Sequence, residues 1–223
     1  MRQLIREFVK ISADTLPIRE PIYEFGALQL PGQEGFADLR SIFPGREYVG
    51  CDMQEGLGVD QILNLHDINL SSETAGTVLI LDTLEHVEFV RKAVEEAYRI
   101  LKSDGILVIS SQMDCPIHSW PDDYWRFTPS AFRSLLKPFS SWFVDLAGDE
   151  WFPHTVVGIG FKGSVKEREL DDFTARAEDW KKQWYEVTGK LSVAFARALA
   201  PAIFWRLYRR RKWIKRKSCR GLT

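Results

Sequence analysis

Residues 77–110, TVLILDTLEHVEFVRKAVEEAYRILKSDGILVIS, decide the fold. Thr77–Leu81 is a short aliphatic run without polar alternation, the pattern of a strand covered on both faces. Val87–Lys102 then reads as a helix, with Val90, Val94, Ala97 and Leu101 on one face and Arg91 and Glu95 four apart outside it. The turn Ser103-Asp104-Gly105 leads straight into a second apolar run, Gly105–Ser110. Strand, helix and strand in roughly 35 residues make a βαβ unit, with parallel strands and a right-handed crossover.

The pattern extends in both directions. Ile22–Phe25 and Tyr48–Cys51 are further strands of the buried, parallel kind. A helix is expected after Thr128-Pro129, with Thr128 as its cap and Pro129 in its first turn. Trp142–Leu146 and Thr155–Phe161, parted by a loop bearing Gly, Asp and Pro, read as an antiparallel pair. The class is therefore α/β, a mostly parallel sheet closing on an antiparallel hairpin. Residues 1–20 read as a short helix and a link, with Leu4, Ile5, Phe8 and Ile11 near one stripe. After Gly163, the apolar seam Phe173, Ala177, Trp180, Trp184 and Val187 marks an appended helix that Gly189 is expected to end. The expected units are thus 1–20, a body at 21–163 and a C-terminal helical extension at 164–223.

At 223 residues, 45% apolar and 27% charged, the chain has single-domain size and is not intrinsically disordered. Its charge is uneven. From Val187 onward there are 11 Lys and Arg and no acid, which leaves 19 basic against 31 acidic residues before it, a net of −12. Three separated cysteines, Cys51, Cys115 and Cys219, exclude a disulfide scaffold and a multi-cysteine zinc module. Four scattered histidines offer no zinc spacing, so no metal is expected. An acyl-hydrolase elbow, a Walker lysine motif and the glycine-rich turn of nicotinamide enzymes are all missing.

The N-terminal residues mix charges into apolar positions, and no uncharged apolar stretch reaches 18 residues. Neither a leader peptide nor a membrane span is expected, and the expected location is cytoplasmic. The segment 190–217, where Trp205, Tyr208 and Trp213 lie among cations, suits peripheral contact with the anionic inner face of a membrane. Packing on the body or on a second subunit is the competing use, and nucleic acid is a less favoured partner. The oligomeric state is not legible.

Four strand ends carry polar residues expected on one edge of the sheet: Glu24-Phe25-Gly26-Ala27, Cys51-Asp52-Met53, Leu65-His66-Asp67-Ile68 and Leu81-Asp82-Thr83-Leu84-Glu85-His86-Val87. A carboxylate after the second strand suits ribose hydroxyls. With Arg99-Ile100-Leu101-Lys102-Ser103-Asp104-Gly105-Ile106-Leu107, these runs resemble the class I S-adenosylmethionine-dependent methyltransferases over about 22–136. The resemblance implies a Rossmann-like, doubly wound sheet of seven strands and S-adenosylmethionine as cofactor. It further implies that Glu24, Gly26 and Ala27 border the methionine part and that Asp52 takes the ribose hydroxyls. Met53 would pack on adenine, with Asp67 on its amino group beside Ile68, and Asp82, Thr83 and Leu84 would lie under the sulfonium. The first loop departs from the family, because Gly26 is followed by Ala27-Leu28-Gln29-Leu30-Pro31 and the interval to Asp52 exceeds the usual spacing of about 20 residues.

The segment from His118 to Pro129 follows the fifth strand, where this fold covers its acceptor site. It resembles a stretch of methyltransferases encoded alongside glycan and cell-surface polysaccharide pathways. Aromatic faces at Trp120, Tyr124 and Trp125, with Asp122, Asp123 and Arg126, suit a polyhydroxylated small molecule or glycan. The competing use of the same residues is structural, with the Asp pair capping and Arg126 paired to a carboxylate. Methyl transfer to a hydroxyl needs alignment and a general base, and His118, with His86 after it, is the candidate. A lipid-like or quinone acceptor, or a non-catalytic scaffold that keeps the fold, is the alternative function.

Overall fold

The structure, a computed structural model, describes residues 2–118, 121–150 and 152–199. Its centre is a sheet of seven strands in the order β3-β2-β1-β4-β5-β7-β6. In chain order these are β1 (Ile22–Phe25), β2 (Tyr48–Asp52), β3 (Gln61–Ile62), β4 (Ala75–Leu81), β5 (Leu101–Gln112), β6 (Ser141–Asp149) and β7 (Phe152–Phe161). β1 to β5 are parallel, while β7 runs antiparallel between β5 and β6. The mixed sheet expected from the sequence is the one observed.

Every residue of β1 and of β4 is buried, as the lack of alternation requires. One core layer lies under α2 (Val90–Ile100) and α3 (Pro129–Leu135), and joins Val94 and Phe132 to Ile80 and Ile109 of the sheet. The other lies under α1 (Gln3–Thr15) and the first half of α4 (Glu167–Leu199), and joins Phe8 and Phe173 to Leu79 and Val108. α3 begins as read, for Pro129 stands in its first turn and the Thr128 hydroxyl accepts the Ala131 N–H at 3.2 Å. On the second face Phe8 packs against Phe173 and Trp180, with ring centroids 5.9 and 5.2 Å away, and Trp180 Nε1 donates to the Leu4 carbonyl at 2.9 Å. α1 and the start of α4 thus form one clasp over the sheet.

Three local expectations are corrected. α2 is shorter than Val87–Lys102: Leu84–His86 form a 3-10 turn, Val87 is extended, and Leu101 already pairs with Ala75 in β5. Leu101 satisfied the helical spacing because it closes the helix with extended dihedrals and remains buried. α4 passes through Gly189 and runs to Leu199. One internal glycine costs about 1 kcal/mol against alanine, too little by itself to stop a helix of this length. β3 completes the seven strands expected, but no residue range had marked it. It is two exposed residues, held by pairing of Cys51 and Asp52 with Gln61 and Ile62. Between β1 and β2 the chain makes only a 3-10 turn at Arg40–Ile42, with no crossover helix. No described helix is long and apolar enough to cross a membrane; the part of the basic tail from 200 onward lies outside the described residues.

Two stability predictions follow from this packing. Phe8→Ala should cost about 3–5 kcal/mol, read as a lowered denaturant midpoint with unchanged slope, because it empties the clasp at its centre. The second concerns Glu24, buried in the middle of the sheet with its Oε2 accepting the Tyr48 hydroxyl at 2.6 Å. Burial drives its carboxyl from 4.5 up to about 7, against the opposing effects of that hydrogen bond and of Arg40. The folded state therefore keeps a proton that the unfolded chain releases. The corresponding stability is full below 4.5 and lost as pH rises through about 7. Glu24→Gln should remove that loss. Between about pH 5 and about pH 8, calorimetric melting should show the variant gaining on the native chain by about 1–3 kcal/mol. Parallel curves would contradict the assignment.

Candidate active site

The carboxyl ends of β1, β2, β4 and β5 open onto a cavity of about 520 Å³. The connection from β1 turns toward β2 and that from β4 toward β5, so the cavity lies at the point where the strand order reverses, the usual ligand crevice of an open α/β sheet. Gly26 sits there with φ +86, and a Cβ on it would meet Thr83 Oγ1 at 2.1 Å. No other residue fits this crossing without displacing the β4 loop. The Gly26 and Ala27 N–H groups both donate to the Cys51 carbonyl, at 2.9 and 3.0 Å, which lays the first loop over the end of β2. Gly32 and Gly35, also at positive φ, approach nothing and are turn residues of that loop.

Of the residues assigned by resemblance to a cofactor, Glu24, Gly26, Ala27, Asp52, Met53, Asp82 and Thr83 line the cavity. Asp52 is held in place by two backbone N–H groups, Gln54 on Oδ1 at 3.1 Å and Leu28 on Oδ2 at 3.4 Å. Three residues do not line it. Ile68 and Leu84 are buried in the core beneath α2, and Asp67 is turned to solvent by its bridge with Asn64. The wall at that end is made instead by Leu63, Asn64, Leu65 and His66. The spacing was right for the loop but two to three residues late for the side chains.

Asp82 leaves β4 with φ +47, and its N–H donates to the Ser110 carbonyl at 3.0 Å. Its carboxylate accepts Ser110 Oγ at 3.0 Å and is gripped by Arg2, from Nε at 3.1 Å and Nη2 at 2.8 Å. Arg2 also donates to the Thr155 hydroxyl of β7. Standing just before α1, it brings a guanidinium into the wall of the cavity. Nothing in the sequence marked it, because its partner is 80 positions away. Gln112, a further lining residue, was legible in principle: Ser110-Ser111-Gln112 is a polar end on a parallel strand, and such ends face the ligand crevice.

At the cavity's other end stand His86 and His118, with the buried Glu85 carboxylate within 4.8 Å of both rings' ligand atoms although it does not line the cavity. Glu85 is wholly buried in the 3-10 turn after β4; its Oε2 accepts the Ser111 hydroxyl at 2.7 Å, and its Oε1 has no partner. Burial first, then the charge of Asp82, push its carboxyl up to about 7. The His86 and His118 rings meet edge to face, centroids 4.8 Å apart. Sequence reasoning singled out both histidines and passed over Glu85, although it stands in the same run.

The segment expected to hold an acceptor is braced from within. Asp123 pairs with Arg126 at 2.5 Å and accepts the His118 N–H at 2.9 Å, and the guanidinium holds its carboxyl well below the usual carboxylate range. Arg126 also donates to the carbonyls of Cys115 and Pro116. Trp125 Nε1 donates to the Val87 carbonyl at 2.9 Å, and the Tyr124 N–H to that of Glu85 at 2.8 Å. Asp123 and Arg126 are thereby spent on the loop, the structural use foreseen for them. Asp122, Tyr124 and Trp125 do not line the cavity; Tyr124 and Trp125 remain 43% and 45% exposed outside it. His118 and Pro121 are what the loop contributes to the rim, and Trp120 lies outside the described residues.

Comparison with known proteins bears on this geometry. No curated protein sequence matches the chain. A solved S-adenosylmethionine-dependent methyltransferase of Archaeoglobus fulgidus superposes with a TM-score of 0.56 at 14% identity, over 72% of this chain and 94% of its own. Another, of Thermotoga maritima, does so with a TM-score of 0.51 at 16% identity, over 73% of this chain and all of its own, 100%. Residues 44–109, from just before β2 to within β5, match the family model of a methyltransferase domain, and the sheet around them is the Rossmann-like sheet of that fold.

Proposed function

We propose that the chain transfers a methyl group from S-adenosylmethionine to a hydroxyl of a small, polyhydroxylated acceptor of the sugar class. The observation that carries this reading is the cavity at the switch point, where Glu24, Asp52 and Asp82 stand at the ends of β1, β2 and β4 in the order a nucleoside-linked cofactor requires. The donor set fits that cofactor. Asp52, fixed by two N–H groups and acceptor-only when ionised, suits a pair of ribose hydroxyls. Leu28, Met53 and Leu65 give apolar walls for a purine, and Asn64 and His66 stand at its polar edge. Arg2 is a partner for the methionine carboxylate, a role that the glycine-poor first loop would otherwise leave to backbone alone.

When bound, the cofactor supplies an already activated methyl group, whose transfer leaves a neutral thioether. What remains for the chain is to hold the acceptor in line and to remove its proton. His86 and His118, which line the cavity, with Glu85 within 4.8 Å of them, are the groups assigned to that proton in this reading. The exposed rings of Tyr124 and Trp125 beside the mouth, with the Asp122 carboxylate on the Tyr124 hydroxyl at 3.2 Å, suit the face and hydroxyls of a sugar.

Calorimetry with S-adenosylhomocysteine tests the cofactor half. The full chain should bind it, and Asp52→Ala should weaken binding by about 5- to 150-fold, the equivalent of about 1–3 kcal/mol. No heat with the native chain, or an unchanged affinity in the variant, would remove the reading. The acceptor half is tested by mass spectrometry after incubation with S-adenosylmethionine and panels of sugars, quinones and lipid-like alcohols. Sugars should gain the methyl group.

A further inference from the structure

The geometry points to a binding site for a divalent first-row transition cation formed by the Glu85 carboxylate and the imidazoles of His86 and His118. One ligand atom from each lies within 4.8 Å of the other two. Each ring has its Nδ1 beside an oxygen acceptor. His86 Nδ1 is 2.6 Å from the Asp122 carbonyl oxygen; His118 Nδ1 is 3.1 Å from that of Pro116 and 3.4 Å from the Asp123 carboxylate. With oxygen acceptors at each Nδ1–H, the neutral imidazoles carry their free lone pair on Nε2. A hydrogen bond from the non-ligating nitrogen to a carbonyl or carboxylate is how metal-bound histidines are held in orientation.

Glu85 supplies an independent observation. It is 0% exposed, one oxygen is taken by Ser111, and the other is a buried acceptor without a partner. Such an atom is costly unless something answers it, and a cation does so. Two imidazoles and one carboxylate are a donor set suited to zinc or iron(II) that leaves positions open. Since His86 and His118 both line the cavity, an ion held by them would be within reach of a molecule bound there. The sequence hid the set because His118 is remote from the other two along the chain.

The consequence for chemistry rests on the methyl-transfer reading. An acceptor hydroxyl entering an open position would be acidified by the ion, its proton would pass to water, and its oxygen would attack the methyl carbon as the sulfur takes the carbon–sulfur bonding pair. The histidines would then act as ligands and not as the base.

The test uses the full chain, stripped of metal by a chelator, dialysed, and titrated with cobalt(II) and then with zinc(II). One cobalt ion per chain should bind and give visible d–d absorption, and zinc should displace it. His86→Asn and His118→Asn, at half-exposed positions, should each weaken cobalt binding more than tenfold while melting like the native chain. Absence of the visible bands, or native affinity in both variants, would overturn the site. S-adenosylhomocysteine binding, measured on the same samples, separates the two ideas. Nucleoside heat without cobalt binding overturns the cation site and leaves methyl transfer standing; cobalt binding without nucleoside heat upholds the cation site and overturns the methyl-transfer reading.

Discussion

β1 and β4 lie side by side, in register from Ile22 with Thr77 to Phe25 with Ile80, and their connections depart in opposite directions. Backbone cannot fill the gap that this divergence opens, so a crevice forms at the carboxyl edge whatever the side chains are. The rest of the site depends on that gap. Gly26 and Thr83 are the two lips, so close that only a hydrogen fits between them. Asp82 can turn back across the gap because its φ of +47 lies in a region tolerated by Asp, whose short polar side chain here finds three donor atoms.

The second structural dependence is between the clasp and the cavity. α1 is held by its buried face, Leu4, Ile5, Phe8 and Val9, with Phe8 packing against Phe173 and Trp180 of α4. Arg2 precedes its first turn, so the position of a cavity guanidinium is set by aromatic packing on the opposite face of the sheet. The extension that composition separates from the body therefore takes part in shaping the cavity. Removing the clasp would cost the cavity a charge as well as costing the core its packing.

How much was legible follows from these two facts. The parallel strands could be read because burial on both faces leaves an unbroken apolar run, and Ile22–Phe25 was placed to the residue. The strand-end carboxylates Asp52 and Asp82 could be read because a parallel strand delivers its next residue to the ligand edge. What lay beyond reach was set by tertiary contact. β3 has no pattern, being two exposed residues that exist only by pairing. Arg2 is an ordinary cation until helix packing brings it to Asp82. Asp67 stands outside the cavity lining for a different reason: it closes a local bridge with Asn64, and spacing alone does not say which side chain of such a turn meets the cavity. At the C-terminal end, Gly189 was overread as a stop, since one residue's helix propensity is a weak prior in a helix of this length.

The two buried glutamates differ in how the fold answers their carboxyls. Both have their carboxyls raised to about 7 by burial. Glu24 has what a buried carboxyl needs to be part of a scaffold: a hydroxyl donor in Tyr48 and an opposing guanidinium in Arg40. Glu85 has a hydroxyl donor in Ser111, the carboxylate of Asp82 as its main charged influence against a smaller opposing one from Arg2, and a second side-chain oxygen without a partner. It sits at the head of the loop contacts, because Tyr124 docks on its carbonyl and His86 follows it directly. A fold could have placed an apolar residue in that 3-10 turn at less cost, since an unanswered buried acceptor forfeits about 1–3 kcal/mol. Burial alone does not separate the two residues; the difference lies in what answers each carboxylate, Tyr48 at Glu24 and, at Glu85, Ser111 on one oxygen with no partner on the other.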